Sequence, residues 1–282
     1  MIPFDFDYFK PSAAEEAVRL YQTLREQGKR PVYFAGGTEI ITLGRLNRID
    51  TEAVIDIKGI EECQTLRLDS DDLVMGSAVT LSRLQESGFF PLLSQTVSEI
   101  ADHTARNKIT LGGNLCGRIY YRETALPLLL SDTEMVVAGP SGRRRVPLNS
   151  AFDGCPRLAD GEFVLQLITP SVFLGLPYYT VKIRRQWEVG YPLITVAALK
   201  RAGQIRAAFS GVCLFPFRSE RIEEILNDGG IEKGARVAEA VRHLPGPVSE
   251  DVEGSPDYRL YRLKNALLDV MQALKGEEHA RS

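Results

Sequence analysis

The sequence predicts an α+β fold in two domains. Up to about residue 175, strand-like apolar runs are mixed with few helical patterns, and some of these runs are spaced for hairpins. After residue 177, three strand-like runs are followed by three helical patterns, which is typical of an antiparallel sheet with helices on one face. We therefore predict a first domain over residues 1–176, in two parts that meet near residue 57, and a second domain over 177–282.

The first part begins with a helix and two short strands. Ser12 followed by Glu15 predicts a capping box, and apolar residues then keep helical spacing from residue 14 until Gly28. Two short β-prone runs follow at 31–35 and 53–57.

The second part, 58–176, contains a predicted hairpin, short helices and two later strands. Thr80 is expected to cap a helix, and Pro91 to open another that reaches about Ala101. The basic stretch 141–145 is predicted to be a turn between two strands. The predicted elements are hairpin strands at 66–68 and 73–76, a buried apolar segment at 125–130, and strands at 134–138 and 162–168.

The second domain shows a simpler pattern. Residues 173–177 read as a connector. The predicted strands are 178–184, 193–200 and 205–212, and the predicted helices are 218–227, 231–243 and 256–275.

Composition excludes several classes of function. The 34 Lys and Arg residues against 37 Asp and Glu residues give a net charge of −3, which argues against a nucleic-acid partner. No stretch is long and apolar enough for a membrane span, and no signal-like segment opens the chain, so we expect a cytoplasmic protein. Four scattered Cys and three scattered His form no ligand pattern, so no metal site is predicted and the cysteines are expected to be reduced and mostly buried.

Two segments each contain a glycine pair followed by small polar side chains: FAGGTEI at 34–40 and TLGGNL at 110–115. Backbone without side-chain bulk can bring its N–H groups against phosphate, although each pair alone is more typical of a tight turn. Two such segments in one chain indicate a diphosphate held from two sides. Neither matches the Rossmann fingerprint or the P-loop.

The chain resembles the FAD-binding medium subunit of the molybdenum hydroxylases. The resemblance rests on these two segments, on the acidic Glu123 and on the apolar stretch that follows it. That family includes the flavin subunits or domains of xanthine dehydrogenase and carbon monoxide dehydrogenase. The resemblance extends to segments 181–185, 191–198, 211–218 and 255–262. It implies a two-part FAD-binding domain of the PCMH/vanillyl-alcohol-oxidase type, followed by a C-terminal α+β domain with a three-stranded antiparallel sheet.

The resemblance also implies the residues that bind FAD. Thr38 would donate from its hydroxyl, Glu123 would lie near the ribose and diphosphate, and Val164 would support the flavin ring. Lys182 would place a cation near the ring and favour its reduced, anionic form, although it could equally be a solvated strand residue. The full set is Phe34, Ala35, Gly36, Gly37, Thr38, Glu39, Ile40, Ala101, Thr110, Gly112, Gly113, Asn114, Cys116, Glu123, Val164 and Lys182.

Two positions depart from the family pattern. Residues 118–122 read Arg-Ile-Tyr-Tyr-Arg where the family usually has Ala-Ser-Pro, and Gly190 stands where an aspartate is usual. Trp187 and Tyr191 are expected to serve packing rather than to form a platform for the flavin.

The implied function is electron transfer, with no catalytic side chain on this chain. FAD would receive electrons from [2Fe-2S] clusters on a small partner subunit and pass them to NAD or another acceptor. The clusters would in turn receive these electrons from a molybdopterin cofactor on a large partner subunit. A stand-alone FAD-dependent oxidase or reductase of the wider fold is one alternative. A non-catalytic assembly protein with the same fold is another.

Overall fold

A computed structural model describes residues 2–185 and 190–275. The N-terminal part is a three-stranded parallel sheet of order β1-β3-β2 with two helices. Its elements are β1 (Asp7–Phe9), α1 (Ala14–Glu26), β2 (Pro31–Phe34), α2 (Thr38–Arg45) and β3 (Ala53–Asp56).

Helix α1 begins one residue later than a capping box at Ser12 requires. The residue before its first turn is Ala13, which has no capping side chain. Glu16, not Glu15, therefore occupies the third helical position, and its carboxylate accepts the Ser12 N–H at 2.8 Å. Glu15 instead pairs with Arg143. The predicted helix is confirmed, but the predicted capping box is wrong.

The second part is built on a five-stranded antiparallel sheet of order β4-β5-β8-β6-β7. Its elements are α3 (Glu61–Gln64), β4 (Leu66–Leu68), β5 (Asp72–Gly76), α4 (Leu81–Ser87), α5 (Pro91–Ser98), α6 (His103–Arg106), α7 (Leu111–Cys116), α8 (Ala125–Leu130), β6 (Glu134–Gly139), β7 (Gly142–Pro147), α9 (Leu148–Ala151) and β8 (Phe163–Pro170). The predicted hairpin is β4–β5, and Thr80 caps α4 as expected.

Of the basic stretch 141–145, residues 142–145 lie in an edge strand, β7, and not in a turn as predicted. β7 pairs antiparallel with β6, so only the short connection before Gly142 turns. The three arginines are tolerated because each has an acidic partner: Arg143 pairs with Glu15 and Glu62, Arg144 with Glu162, and Arg145 with Glu134. Charged side chains also protect an edge strand from pairing with another chain.

The C-terminal part is a four-stranded antiparallel sheet of order β12-β11-β10-β9, one strand more than predicted. The extra strand β12 has two residues, too few for a periodic pattern to be visible in sequence. The elements are β9 (Tyr178–Ile183), β10 (Ile194–Arg201), β11 (Gln204–Ser210), β12 (Phe217–Arg218), α10 (Glu220–Asn227), α11 (Lys233–Ala240) and α12 (Pro256–Ala273).

Both faces of this sheet are covered. Val196 and Ala198 of β10 pack with the C-terminal helices, whereas Ala197 and Leu199 belong to the core of the five-stranded part. Successive strand residues point to opposite faces, so one strand contributes to two cores. The second face is covered by α8, whose six residues are all buried. The helices predicted on one face of the sheet are present, and the other face packs against α8 of the five-stranded part.

Among the described helices, none combines the length and the apolarity that crossing a bilayer would require.

Candidate functional site

A cavity of about 910 Å³ lies where the three parts of the chain meet. Both glycine segments line it, and so does every other residue that the sequence assigned to the site. From the first loop these are Phe34, Ala35, Gly36, Gly37, Thr38, Glu39 and Ile40; from the rest of the chain they are Ala101, Thr110, Gly112, Gly113, Asn114, Cys116, Glu123, Val164 and Lys182. The topology thus brings together residues that are far apart in sequence.

The first glycine segment joins β2 to α2 and leaves the start of that helix uncapped. Gly37 precedes the helix with φ of +74°, a conformation that favours glycine, and no side chain caps the helix. The first N–H groups of a helix have no partner within it, so those of Thr38, Glu39 and Ile40 can bind an anion at the cavity.

Gly36 is required for a different reason. A Cβ atom on Gly36 would lie 1.8 Å from the carbonyl oxygen of Lys108, just before the second glycine segment. The two segments therefore touch through backbone at Gly36. Any side chain there would push them apart.

Lys58 stabilises the first glycine segment through its ammonium group. Its ammonium donates to the Ala35 carbonyl at 2.6 Å and to Asp56 at 2.8 Å, and lies 4.5 Å from the centre of the Phe34 ring. Asp56 is buried and also accepts from the Tyr8 hydroxyl. Burial by itself raises the pKa of Asp56, but the hydrogen bonds from Lys58 and Tyr8 outweigh it and hold the pKa below its ordinary value. No local sequence pattern identified Lys58.

The second glycine segment forms the start of α7, and its N–H groups are already used. Leu111 donates to the Val79 carbonyl at 2.9 Å and Gly112 to that of Ser77 at 2.8 Å. Gly113 donates to the Thr110 hydroxyl at 3.2 Å, and Asn114 to the Thr110 carbonyl at 2.8 Å. The sequence suggested amide donors on both sides of a diphosphate. The available donors lie at α2, whereas the second segment contributes bare backbone surface at the exposed Gly113.

The polar side chains of the second segment have internal partners as well. The Asn114 side-chain oxygen accepts from the hydroxyl of Thr124 at 2.8 Å and from its N–H at 3.2 Å. Thr110 and Asn114 thus hold the shape of α7 and of the turn before α8.

Glu39 ties the first segment to the stretch that departs from the family pattern. Its two carboxylate oxygens accept the N–H groups of Arg118 at 2.7 Å and Ile119 at 3.0 Å. A charged acceptor held by two N–H groups makes a strong contact. We call this contact the Glu39 clamp.

The rest of the departing stretch contacts the C-terminal part. The Tyr121 ring stacks on Tyr191 with centres 5.0 Å apart, and the Tyr120 hydroxyl lies 2.9 Å from the Asp251 carboxylate. The predicted packing role of Tyr191 agrees with this stacking, although its ring is also half exposed and lines the cavity. Trp187, named with it, lies outside the described residues.

Glu123 and Lys182 form a buried ion pair between the five-stranded part and the C-terminal part. Their side chains are 5% and 3% exposed, and the Lys182 ammonium lies 2.9 Å from the carboxylate. Glu123 also accepts from the Thr195 hydroxyl at 2.7 Å, and Lys182 donates to the Glu99 carbonyl at 2.9 Å. Lys182 is therefore not a solvated strand residue. One of its three ammonium protons remains available at the cavity, and Glu123 offsets much of its charge.

Ala101 and Val164 line the wall of the cavity. Ala101 has φ of +50°, uncommon for a residue with a side chain, and the guanidinium of Arg106 holds its carbonyl at 2.7 Å. Val164 is buried in β8 and presents an apolar surface at the cavity wall. Gly190 also lines the cavity, and a Cβ atom there would meet nothing within 4 Å.

The cavity offers no free acid among its described lining residues. Glu39 is held by two N–H groups, Glu123 by Lys182 and Thr195, and Glu162 by Arg144. No histidine is among these lining residues. The arrangement can hold a large anionic ligand, but these residues contain no free carboxylate or imidazole that could take up a substrate proton.

Comparisons with known proteins agree with this geometry. Residues 4–172 match the family model described as the FAD binding domain in molybdopterin dehydrogenase. The chain is 28% identical over 272 residues to the carbon monoxide dehydrogenase medium chain of Hydrogenophaga pseudoflava, covering 92% of this chain and 93% of that one. It is 30% identical over 286 residues to the xanthine dehydrogenase FAD-binding subunit of Escherichia coli O157:H7, covering 95% and 96%.

The fold agrees with solved structures as well. One is the carbon monoxide dehydrogenase from Hydrogenophaga pseudoflava that lacks the Mo-pyranopterin moiety of its molybdenum cofactor, with a TM-score of 0.86, 25% identity, and 97% and 98% of the two chains covered. Quinoline 2-oxidoreductase from Pseudomonas putida 86 gives a TM-score of 0.83 at 22% identity, with 96% and 97% covered.

The chain belongs to the family of FAD-binding domains of molybdopterin dehydrogenases. It is an oxidoreductase subunit that binds FAD, of the type found in xanthine and carbon monoxide dehydrogenases. The resemblance, the α+β fold class and the flavoprotein function read from the sequence are thereby confirmed.

Proposed function

We propose that this chain is the electron outlet of a molybdenum hydroxylase, in which FAD receives electrons from iron–sulfur clusters on a partner subunit and delivers them to an acceptor. The observation that carries the proposal is the cavity between the two glycine segments, whose described acidic residues are all engaged. Bound FAD supplies a group that accepts electrons singly or in pairs and returns them.

The residues present fit FAD. The volume of about 910 Å³ is within the range of cofactor pockets, and the uncapped start of α2 suits a diphosphate. The N–H groups of Thr38, Glu39 and Ile40 would bind it, with the Thr38 hydroxyl beside them. The bare backbone at Gly113 would permit close approach from the other side.

The remaining site residues would shape the rest of the pocket. Val164 would pack against the flavin ring, and Ala101 and Cys116 would line its surroundings. The free proton of Lys182 would be a hydrogen-bond donor, while Glu123 positions that ammonium. Because Glu123 offsets the charge, Lys182 would act mainly as a donor and only weakly as a cation.

The partners follow from the family and the chemistry. We propose a small subunit with [2Fe-2S] clusters and a large subunit with the molybdopterin cofactor, where the substrate is oxidised. Two relatives are named as subunits of larger enzymes: the beta subunit of caffeine dehydrogenase and the medium subunit of nicotine 6-hydroxylase. NAD or another carrier would be the final acceptor, and the cytoplasm the location.

The absence of a free carboxylate or a histidine among the described lining residues disfavours a stand-alone oxidase, which needs a group to take the substrate proton. A non-catalytic assembly protein is disfavoured by the intact cavity, because Arg118 to Arg122 pack onto neighbouring elements rather than fill it.

The test is to purify the native assembly through a tag on this chain and to measure its flavin, iron and molybdenum. We expect all three together, and bleaching of the flavin when substrate of the large subunit is added. The separated chain should then fail to oxidise that substrate. Turnover of an alcohol or a sugar by the separated chain would contradict the proposal, as would an assembly without iron and molybdenum.

A further inference from the structure

Two of the four cysteines are exposed, Cys116 and Cys155. Cys116 ends α7 and lines the cavity, and Cys155 lies in the loop after α9. Cys63 and Cys213 are buried, so the expectation that the cysteines are mostly buried holds only for these two. All four are free thiols in the structure.

The Arg122 guanidinium joins the two chain segments that carry the exposed cysteines. Its Nε donates to the Gly117 carbonyl at 2.8 Å, and its Nη1 donates to the Gly154 carbonyl at 2.9 Å. Gly117 directly follows Cys116, and Gly154 directly precedes Cys155. One rigid, planar group therefore holds the neighbours of both cysteines side by side.

The two thiols also interact electrostatically. Although Cys116 is exposed at the cavity, the protein around it limits its contact with water, and this is the main reason that its pKa is raised to about 12. Arg122 lowers this pKa, and a negative charge on Cys155 raises it further. Charges influence each other in this way only at short range. Cys116 therefore remains a neutral thiol at neutral pH, whereas Cys155 is open to reagents from solvent.

We propose that Cys155 and Cys116 form an oxidation site that closes to a disulfide when the protein meets hydrogen peroxide. The glycine beside each cysteine lets the backbone adjust to the narrow geometry of a disulfide. Cys116 is shared with the proposed FAD pocket, but the oxidation itself needs neither FAD nor a partner subunit.

The chemistry has two balanced steps. The Cys155 thiolate attacks one peroxide oxygen, so that an S–O bond forms, the O–O bond breaks, and the leaving hydroxide takes up a proton as water. The Cys116 sulfur then attacks the Cys155 sulfur, an S–S bond forms, and the S–O bond breaks to release a second water that carries the Cys116 proton. Two thiols lose two electrons and two protons, and one peroxide is reduced to two waters.

The disulfide would join the end of α7 to the loop after α9. Because Cys116 lines the cavity, this link fixes one wall in position. A thiol reductant would reopen it, as for other disulfides at exposed positions.

The test treats the reduced full-length chain with hydrogen peroxide and measures its intact mass and its linked peptides. We expect a loss of about 2 Da, the mass of two hydrogens, and a peptide pair joined through Cys116 and Cys155. The change should reverse with dithiothreitol. Cys213→Ala, which alters a buried thiol, should behave like the wild type.

The Cys116→Ser variant removes the second thiol. It should leave Cys155 to gain oxygen atoms in place of the disulfide, whether or not flavin is present. Two findings would overturn the proposal: oxygen addition at Cys155 in the wild type without any linked peptide, or identical oxidation products in the wild type and in Cys116→Ser.

Discussion

Lys182, in β9 of the C-terminal part, is held by two oxygens of the five-stranded part. The Glu123 carboxylate and the Glu99 carbonyl both lie 2.9 Å from its ammonium, and hardly any of the pair reaches solvent. Bringing two charges out of water is costly, so such a pair adds little net stability while it is intact. Breaking it leaves one charge buried without a partner, which is strongly unfavourable.

We therefore expect Lys182→Met to lower the free energy of unfolding by about 3 to 5 kcal/mol. Lys182→Met combined with Glu123→Met should recover most of that loss, because neither charge then remains buried. Urea denaturation of the three proteins measures both effects, and Lys264→Met on the exposed face of α12 serves as the control. A double variant no more stable than the single one would contradict the expectation.

Glu162 accepts three hydrogen bonds in its folded environment. Arg144 donates two, at 2.9 and 2.8 Å, and the Ala159 N–H donates one at 2.8 Å. The bonds from Arg144 are the main reason that the pKa of Glu162 lies below its ordinary value of 4.5. A carboxylate with a lowered pKa stabilises the fold fully above its unfolded pKa, and this contribution is lost as pH falls through the folded pKa.

Glu162→Gln should accordingly lower the free energy of unfolding at neutral pH by about 1.5 to 3 kcal/mol. The difference from the wild type should shrink as pH is lowered below 4.5. Urea denaturation at several pH values from neutral down to about pH 3 tests this. A difference that stays constant over the whole range would show that the charge of Glu162 is not responsible.

At the scale of elements, the Glu39 clamp connects α2 to the segment after α7. The clamp accepts the Arg118 and Ile119 N–H groups of this segment at 2.7 and 3.0 Å. The segment is therefore fixed to α2 at these two residues.

Glu39→Ala should release this segment. Hydrogen exchange of the Arg118 and Ile119 amides should become at least tenfold faster, which corresponds to a lost contact of about 1.4 kcal/mol. Glu86→Ala, an exposed residue of α4, is the matched control and should leave both amides unchanged. Equal exchange in wild type and Glu39→Ala would mean that the clamp does not hold the segment.

Most elements could be predicted from local patterns, and the exceptions have physical reasons. α1, β4, β5 and α12 follow local sequence patterns, and the structure confirms these elements, although the capping box predicted for α1 is wrong. β7 was missed because consecutive arginines hide the strand pattern, and their acidic partners lie on other elements. β12 is too short to show a period.

The residues that line the cavity could be predicted from the sequence, but their hydrogen bonds could not. Every residue assigned to it from sequence lines the cavity. Sequence could not show that the Gly112 N–H is bound to the Ser77 carbonyl, or that Lys58 supports Ala35 from behind. These contacts depend on distant segments that meet only in the folded chain.

At the scale of the whole molecule, the cavity depends on all three parts of the chain. The parallel sheet supplies the first glycine segment, the five-stranded part supplies α7, and β9 of the C-terminal part supplies Lys182. The core of the five-stranded part continues into the C-terminal sheet through Ala197 and Leu199. We infer that the site forms only when these three parts are packed together.

The central claim is that FAD occupies this cavity, and the flavin content of the purified protein tests it most directly. Acid should release about one FAD per chain, as expected for one pocket. Gly36→Ala should lose most of that FAD, because its Cβ would lie 1.8 Å from the Lys108 carbonyl oxygen, whereas Gly175→Ala, which meets nothing within 4 Å, should keep it. A wild-type protein without FAD, or a folded Gly36→Ala variant with the full amount, would contradict the claim.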